Sequence, residues 1–120
     1  MKILRVLLFY VALVFAPFVI FTNAYGANKN FTGNVGIVEV RAPVFGNVLI
    51  ITILNSSGAR IRLCDAAQDP TALAIPLTDP LAKNFQAIAL SAKLAGKQVT
   101  GWGVDQTVSS WCGIGNFVIP

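Results

Sequence analysis

The acidic residues and the complete lack of histidine define the reactive chemistry that this sequence offers. Asp65 and Asp69 are close enough in sequence to face each other as a carboxylate pair, the arrangement that hydrolyses glycosidic bonds. Their turn-forming surroundings favour instead two solvated residues that hydrogen-bond the local backbone. Without histidine, the commonest general base and metal ligand is missing. The sequence therefore predicts a protein that is not an enzyme and that needs no metal or cofactor.

Two tryptophans suggest binding chemistry rather than catalysis. Trp102 and Trp111 flank residues 105–110, a polar stretch that begins at Asp105 and is predicted to form a turn. An aromatic ring beside polar groups suits a sugar ligand, because the ring covers the apolar C–H side of the sugar while the polar groups bond its hydroxyls. The alternative is structural, with Trp102 in the core and Trp111 packed over a disulfide. Trp102, Trp111 and Asp105 are the predicted ligand-binding residues.

A short basic start followed by an uncharged apolar run indicates an N-terminal leader. Residues 1–5 carry two positive charges and residues 6–21 carry none. Small residues follow, so the pattern is typical of a cleavable signal peptide, with cleavage after Ala24, which we favour, or after Gly26. A retained transmembrane anchor is the alternative, since the run approaches the length that spans a bilayer. Pro17 within the run favours cleavage.

Residues 1–24 are thus assigned to a signal peptide and residues 25–120 to one secreted or periplasmic domain. The remaining chain of about 95 residues is long enough for one hydrophobic core and too short for two. Removing Lys2 and Arg5 lowers the formal net charge from +4 to +2. This charge is spread along the chain, whereas a nucleic-acid-binding domain carries a clustered basic stripe. We expect no nucleic-acid partner, and no membrane contact once the leader is removed.

Both cysteines, Cys64 and Cys112, belong to the predicted mature domain. In an exported protein an even pair most simply forms one disulfide bond. A metal pair or a reactive thiol is the alternative, and the lack of histidine argues against a zinc site.

The pattern of apolar residues and breakers predicts five strands and one helix. A polar lead-in precedes the first strand, and a proline-containing loop at 65–78 follows the third. Asp79 and Pro80 provide a helix start, and Gly96 provides its end. The predicted strands are 35–40, 48–54, 59–64, 98–104 and 113–119, and the predicted apolar stripe of the helix is Leu81, Phe85, Ile88, Ala92 and Ala95.

This βββ-α-ββ order is that of the OB-fold, a five-stranded Greek-key barrel in a mainly β, α+β chain. A bond between Cys64, at the end of the third predicted strand, and Cys112, at the start of the fifth, joins two strands that are neighbours in such a barrel. An open antiparallel sheet with the helix on one face is the rival arrangement.

The stretch AIALSAKLAGKQVTGWGV, residues 87–104, resembles the C-terminal half of small secreted bacterial proteins related to the pentameric binding (B) subunits of subtilase-type and pertussis-like toxins. The matching positions are Ala92, Gly96, Lys97, Val99, Cys64 and Cys112. The resemblance covers about 70 residues from Ile50 onward. It departs from the family at Lys93 or Leu94, where an aromatic residue is usual, and the family's sugar-contacting residues have no match here. It implies an OB-like barrel, export and a ring of subunits that recognises glycans.

These observations predict a non-enzymatic secreted binding protein, with a glycan or another exported protein as ligand and a homo-oligomer, such as a pentamer, as its assembly. The alternative is a periplasmic or envelope structural or inhibitor protein whose partner is another exported protein. A small hydrolase that uses Asp65 and Asp69 ranks last.

Overall fold

The structure is a computed structural model that describes residues 29–42, 44 and 46–120. The predicted signal peptide and its cleavage positions lie outside these residues. Within them, no helix has the length and apolar character needed to cross a bilayer. The elements in chain order are β1 (Lys29–Arg41), β2 (Val48–Leu54), β3 (Asp69–Pro76), α1 (Ala82–Ala95), β4 (Gln98–Val108) and β5 (Trp111–Val118).

The five strands form one closed barrel in the order β1-β2-β3-β5-β4, and β4 pairs back onto β1. All neighbours are antiparallel except β3 and β5, which run parallel. β1 pairs with two strands: residues 29–34 pair with β4, and residues 34–41 pair with β2. The pairing with β2 contains a bulge between Val35 and Val38. The OB-like barrel is confirmed, and the open-sheet alternative is wrong.

The third strand does not form at 59–64, where the sequence predicts it. Asn55 forms the expected turn after β2, because its side-chain oxygen accepts two backbone N–H groups from the residues that follow. After a single bridge between Leu54 and Arg60, however, the chain leaves β2. The apolar residues of this segment turn inward instead, and Leu63 is fully buried.

β3 lies further along, at Asp69–Pro76, within the stretch predicted to be a loop. Its prolines indicate a loop in the sequence, but they occupy the second and last positions of the strand, where a missing N–H is tolerated. Ala72 and Ala74 of this strand are buried on its outer side, where Trp111 packs against them. The sequence signal for β3 is weak because its outer residues are alanines, and these alanines are buried by the ring of Trp111.

The other strands agree better with their predicted positions. β2 has its predicted bounds. β1 is extended by residues 29–34, although their asparagines and glycine predict a loose lead-in, because they pair with β4. β4 continues to Val108 and therefore contains Asp105, which the sequence places in a turn. β5 begins at Trp111, and the predicted turn shrinks to residues 109 and 110.

The ends of α1 follow the predicted signals with a small shift at its start. The Asp79 carboxylate accepts the N–H of Leu81 at 2.9 Å, and the first helical residue is Ala82. Gly96 ends the helix in the left-handed conformation, with φ of 64°, and its N–H points to the carbonyls of the last turn. A residue without Cβ adopts this conformation at little cost, which is why the helix stops there.

The buried side of α1 differs in part from the predicted stripe. Leu81 and Ala95 are exposed. The helix begins at Ala82, one residue after Leu81, and its buried side is centred on Ala82, Ala89 and Ala92. The ring of Phe85 packs edge-on against that of Phe117 in the barrel, with centroids 6.3 Å apart. The helix residues that contact the core are Ala82, Phe85, Ile88, Ala89 and Ala92.

A disulfide joins the long connection between β2 and β3 to the last strand, as predicted. The Cys64 and Cys112 sulfurs are 2.05 Å apart, and both side chains are buried. Cys64 follows the inserted Leu63, whose carbonyl lies against Gly103 of β4. The position predicted for Cys64 at the end of the third strand is wrong, because Cys64 lies in the connection between β2 and β3.

Candidate functional site

The side chains of β4 alternate between the inside and the outside of the barrel. Val99 is fully buried in the core, and Gly101 faces inward, where a Cβ would lie 3.0 Å from the ring of Phe31. Successive residues of a strand point to opposite faces. Thr100 and Trp102 therefore project outward, and both are partly exposed.

The pairing register extends this outer surface across three strands. Trp102 lies opposite Asn30 of β1 on one side and opposite Asn116 of β5 on the other. Directly opposite residues of an antiparallel pair share a face. The surface, which we call the β1–β4–β5 face, consists of the rows Asn30–Trp102–Asn116, Thr32–Thr100–Val118 and Asn34–Gln98.

Trp102 is held against the barrel by a glycine on the next strand. The register of β4 and β5 slips between the Trp102–Asn116 and Gly103–Ile114 pairs, which leaves Gly115 as an extra residue. A side chain at Gly115 would overlap the Nε1 and Cδ1 atoms of the Trp102 indole. The ring therefore lies over the backbone of β5, and it keeps part of its surface in solvent.

Asp105 is a structural cap in this arrangement. Its Oδ1 atom accepts the backbone N–H groups of Asp65 at 2.7 Å and Ala66 at 3.0 Å. These two hydrogen bonds lower the pKa of the Asp105 carboxyl, and the nearby charges of Lys29 and Arg62 lower it further. The carboxylate thus holds the connection that carries Cys64, and its role as a ligand-binding residue stays a prediction.

Trp111 packs in a different environment from Trp102. It covers the outer side of β2 and β3, where Val48, Ile50, Ala72 and Ala74 form a second buried cluster. The Arg41 guanidinium lies 5.3 Å from its ring centroid, within cation–π distance. Arg41 also bonds the Glu39 carboxylate at 3.1 Å. Trp111 packs mainly against this buried cluster and so stabilises the fold, which makes Trp102 the better candidate for binding.

Asp65 and Asp69, the carboxylate pair of the hydrolase alternative, have separate partners in the structure. The Asp69 Oδ1 atom accepts the N–H and the hydroxyl of Thr71. Asp65 lies 3.5 Å from the Lys29 ammonium and 3.4 Å from the Arg62 guanidinium. Within the part of the chain that the structure describes, no cluster of three or more histidine, cysteine or acidic residues is placed to hold a metal ion.

Comparison with protein-family models, curated proteins and solved structures gave no match for this chain.

The sequence indicates Trp102 as a candidate binding residue but gives little sign of the polar residues around it. Asn30 and Thr32 lie in residues 25–33, which are predicted to be a loose lead-in, and Asn34 lies between this segment and the first predicted strand. Asn116 carries no signal of its own. They become neighbours of Trp102 only through the register of β1, β4 and β5. The sequence pattern that could have revealed this strand is the alternation of polar residues at 30, 32 and 34, which is typical of a strand with one solvent-exposed face.

Proposed function

We propose that this chain is a non-enzymatic, exported binding protein that holds glycans on the β1–β4–β5 face. The observation that carries the proposal is the row in which partly exposed Trp102 is paired with Asn30 on one side and with Asn116 on the other. An indole that lies along the barrel surface offers a flat apolar area to the C–H side of a sugar. The amides on both sides supply donors and acceptors for the sugar hydroxyls.

Export is supported by the leader pattern of residues 1–24 and by the buried disulfide. Disulfides form and persist in oxidising compartments, so the Cys64–Cys112 bond is compatible with a secreted or periplasmic location. Assembly into a homo-oligomer, with a pentamer as the expected form, is part of the proposal and rests on the resemblance to toxin B subunits. Light scattering on the oxidised protein measures the number of subunits directly.

The test of glycan binding is a glycan array followed by calorimetric titration of the ligands that bind. We expect Trp102→Ala to weaken binding about tenfold, since an aromatic contact of this kind contributes on the order of 1 kcal/mol or slightly more. Replacing Asn30 or Asn116 by alanine should also weaken binding. The matched control is Asn84→Ala, because Asn84 is exposed on α1, outside the face.

Two results would reject this function. A folded wild-type protein that binds no glycan on the array would remove its basis, and a pull-down that recovers one exported protein would then favour the inhibitor alternative. Equal losses in the Asn84 control and in the face variants would show that the effects are not specific to the face.

A further inference from the structure

We infer that the sugar unit held over Trp102 on the β1–β4–β5 face is uncharged. This inference rests on the function proposed above and specifies its ligand class. It follows from which charged groups lie near the face and what each of them already binds.

The face itself carries no charge among its described residues. Its eight members are amides, hydroxyls, one valine and one tryptophan: Asn30, Thr32, Asn34, Gln98, Thr100, Trp102, Asn116 and Val118. Amides and hydroxyls exchange hydrogen bonds with sugar hydroxyls without any change of charge. A carboxylate or sulfate that loses water there would gain no cationic partner from the face, and that loss is costly.

The cations beyond one end of the face are already paired. Lys29 is next to Asn30 in sequence, and its ammonium lies 3.5 Å from the Asp65 carboxylate. Arg62 lies 3.4 Å from the same carboxylate and also donates to the carbonyl of Cys64 at 3.1 Å. Asp105 adds a second negative charge beside them. This cluster of two cations and two anions is balanced, and a ligand anion would compete with Asp65 for it.

The lysines near the face lie at its opposite end from Trp102. Lys93 and Lys97 line a small cavity of about 150 Å³ together with Asn34. Asn34 is four residues from Asn30 along β1, or about 13 Å at the usual rise of a strand. The row that contains Trp102 is therefore separated from the row beside these lysines by about four residues of strand.

The experiment compares matched pairs of oligosaccharides that differ only in whether the terminal sugar carries a carboxylate. The protein is isolated after export, and titration gives the affinity for each member of a pair. We expect the neutral member to bind at least about fivefold more tightly, with less than a twofold change between about 50 and 500 mM NaCl, because uncharged contacts are not screened.

A charge placed on the face provides the second arm. Thr100→Lys introduces an ammonium in the row beside Trp102 and should raise the affinity for the carboxylated member severalfold relative to the affinity for the neutral member. The control is Thr107→Lys, since Thr107 is exposed on the same strand outside the face. It should leave both affinities unchanged.

The outcomes separate this inference from the function on which it rests. Preference of the wild type for the carboxylated member, with loss of binding at high salt, would overturn the neutral-ligand inference and leave glycan binding intact. Failure of the folded protein to bind either member of any pair would overturn both. An equal gain in the Thr107 control would also overturn the inference, because it would place the anion away from the face.

Discussion

Replacement of Gly115 by alanine tests whether the position of the Trp102 ring matters for binding. A Cβ at Gly115 would overlap the Nε1 and Cδ1 atoms of Trp102 and would lie 3.0 Å from a methyl carbon of Val104. The backbone of Gly115 is not in the left-handed region, so alanine itself fits the strand. The overlap is with a side chain that rotates. The ring should therefore move, and the fold should remain.

The expected loss of affinity follows from the contact that is displaced. An aromatic contact of about 1 kcal/mol corresponds to about a fivefold change in dissociation constant. Gly115→Ala should thus weaken glycan binding about fivefold, somewhat less than removal of the ring in Trp102→Ala. Movement of the ring is measured by fluorescence in a Trp111→Phe background, where Trp102 is the only tryptophan. Its emission should shift to longer wavelength as the ring enters solvent.

Two results would refute this reasoning. Unchanged affinity together with a clear spectral shift would show that the orientation of the Trp102 ring has no part in recognition. A fall in thermal stability as large as that of a core variant would show that Gly115 is needed for the fold itself. The Trp111→Phe variant that keeps Gly115 is the reference for both the emission spectrum and the thermal stability.

Three further predictions concern stability. Replacing Cys64 and Cys112 together by alanine removes a crosslink across 48 residues and should lower the free energy of unfolding by about 4 kcal/mol in urea titrations; an unchanged midpoint would contradict the loop-entropy argument. The lowered pKa of Asp105 means that its carboxylate stabilises the fold above the unfolded pKa of about 3.9 and that this stability is lost as pH falls through the lower, folded pKa. Asp105→Asn should therefore show a smaller drop in melting temperature between neutral and strongly acidic pH than the wild type, and equal drops would reject this role. Gly103→Ala should destabilise the fold by roughly 2 kcal/mol in chemical denaturation, because its Cβ meets a backbone carbonyl; an effect no larger than that of Gly115→Ala would contradict it.

The elements that could be predicted from the sequence are those with strong local signals. β2 is a continuous β-branched and aliphatic run between turn residues, and its bounds agree with the structure. The helix end at Gly96 depends on a conformation that glycine favours, so the signal is contained in one residue. The disulfide follows from the presence of two cysteines in a chain whose first 24 residues have the pattern of a signal peptide. The interactions that decide β2 and the helix end lie within a few residues of each, and the disulfide prediction needs only the number of cysteines and the leader pattern.

The parts that could not be predicted depend on partners far along the chain. β3 contains alanines that pack under Trp111, and nothing near them in the sequence reveals this cover. Residues 29–34 form a strand because β4 offers them a ladder, which overrides their loop-like composition. The β1–β4–β5 face has the same origin, since Asn30 and Asn116 become neighbours of Trp102 only after three strands are in register.

The parallel contact between β3 and β5 is the shortest seam of the barrel, with only the pairs Asp69–Trp111 and Leu73–Cys112 in register. One half of the disulfide lies on this seam, and its other half anchors the segment that inserts Leu63 into the interior. In a reducing compartment the last strand would meet β3 through few backbone contacts and no covalent link. The disulfide therefore holds closed the seam that backbone pairing holds least, and its reduction should loosen the barrel first between β3 and β5.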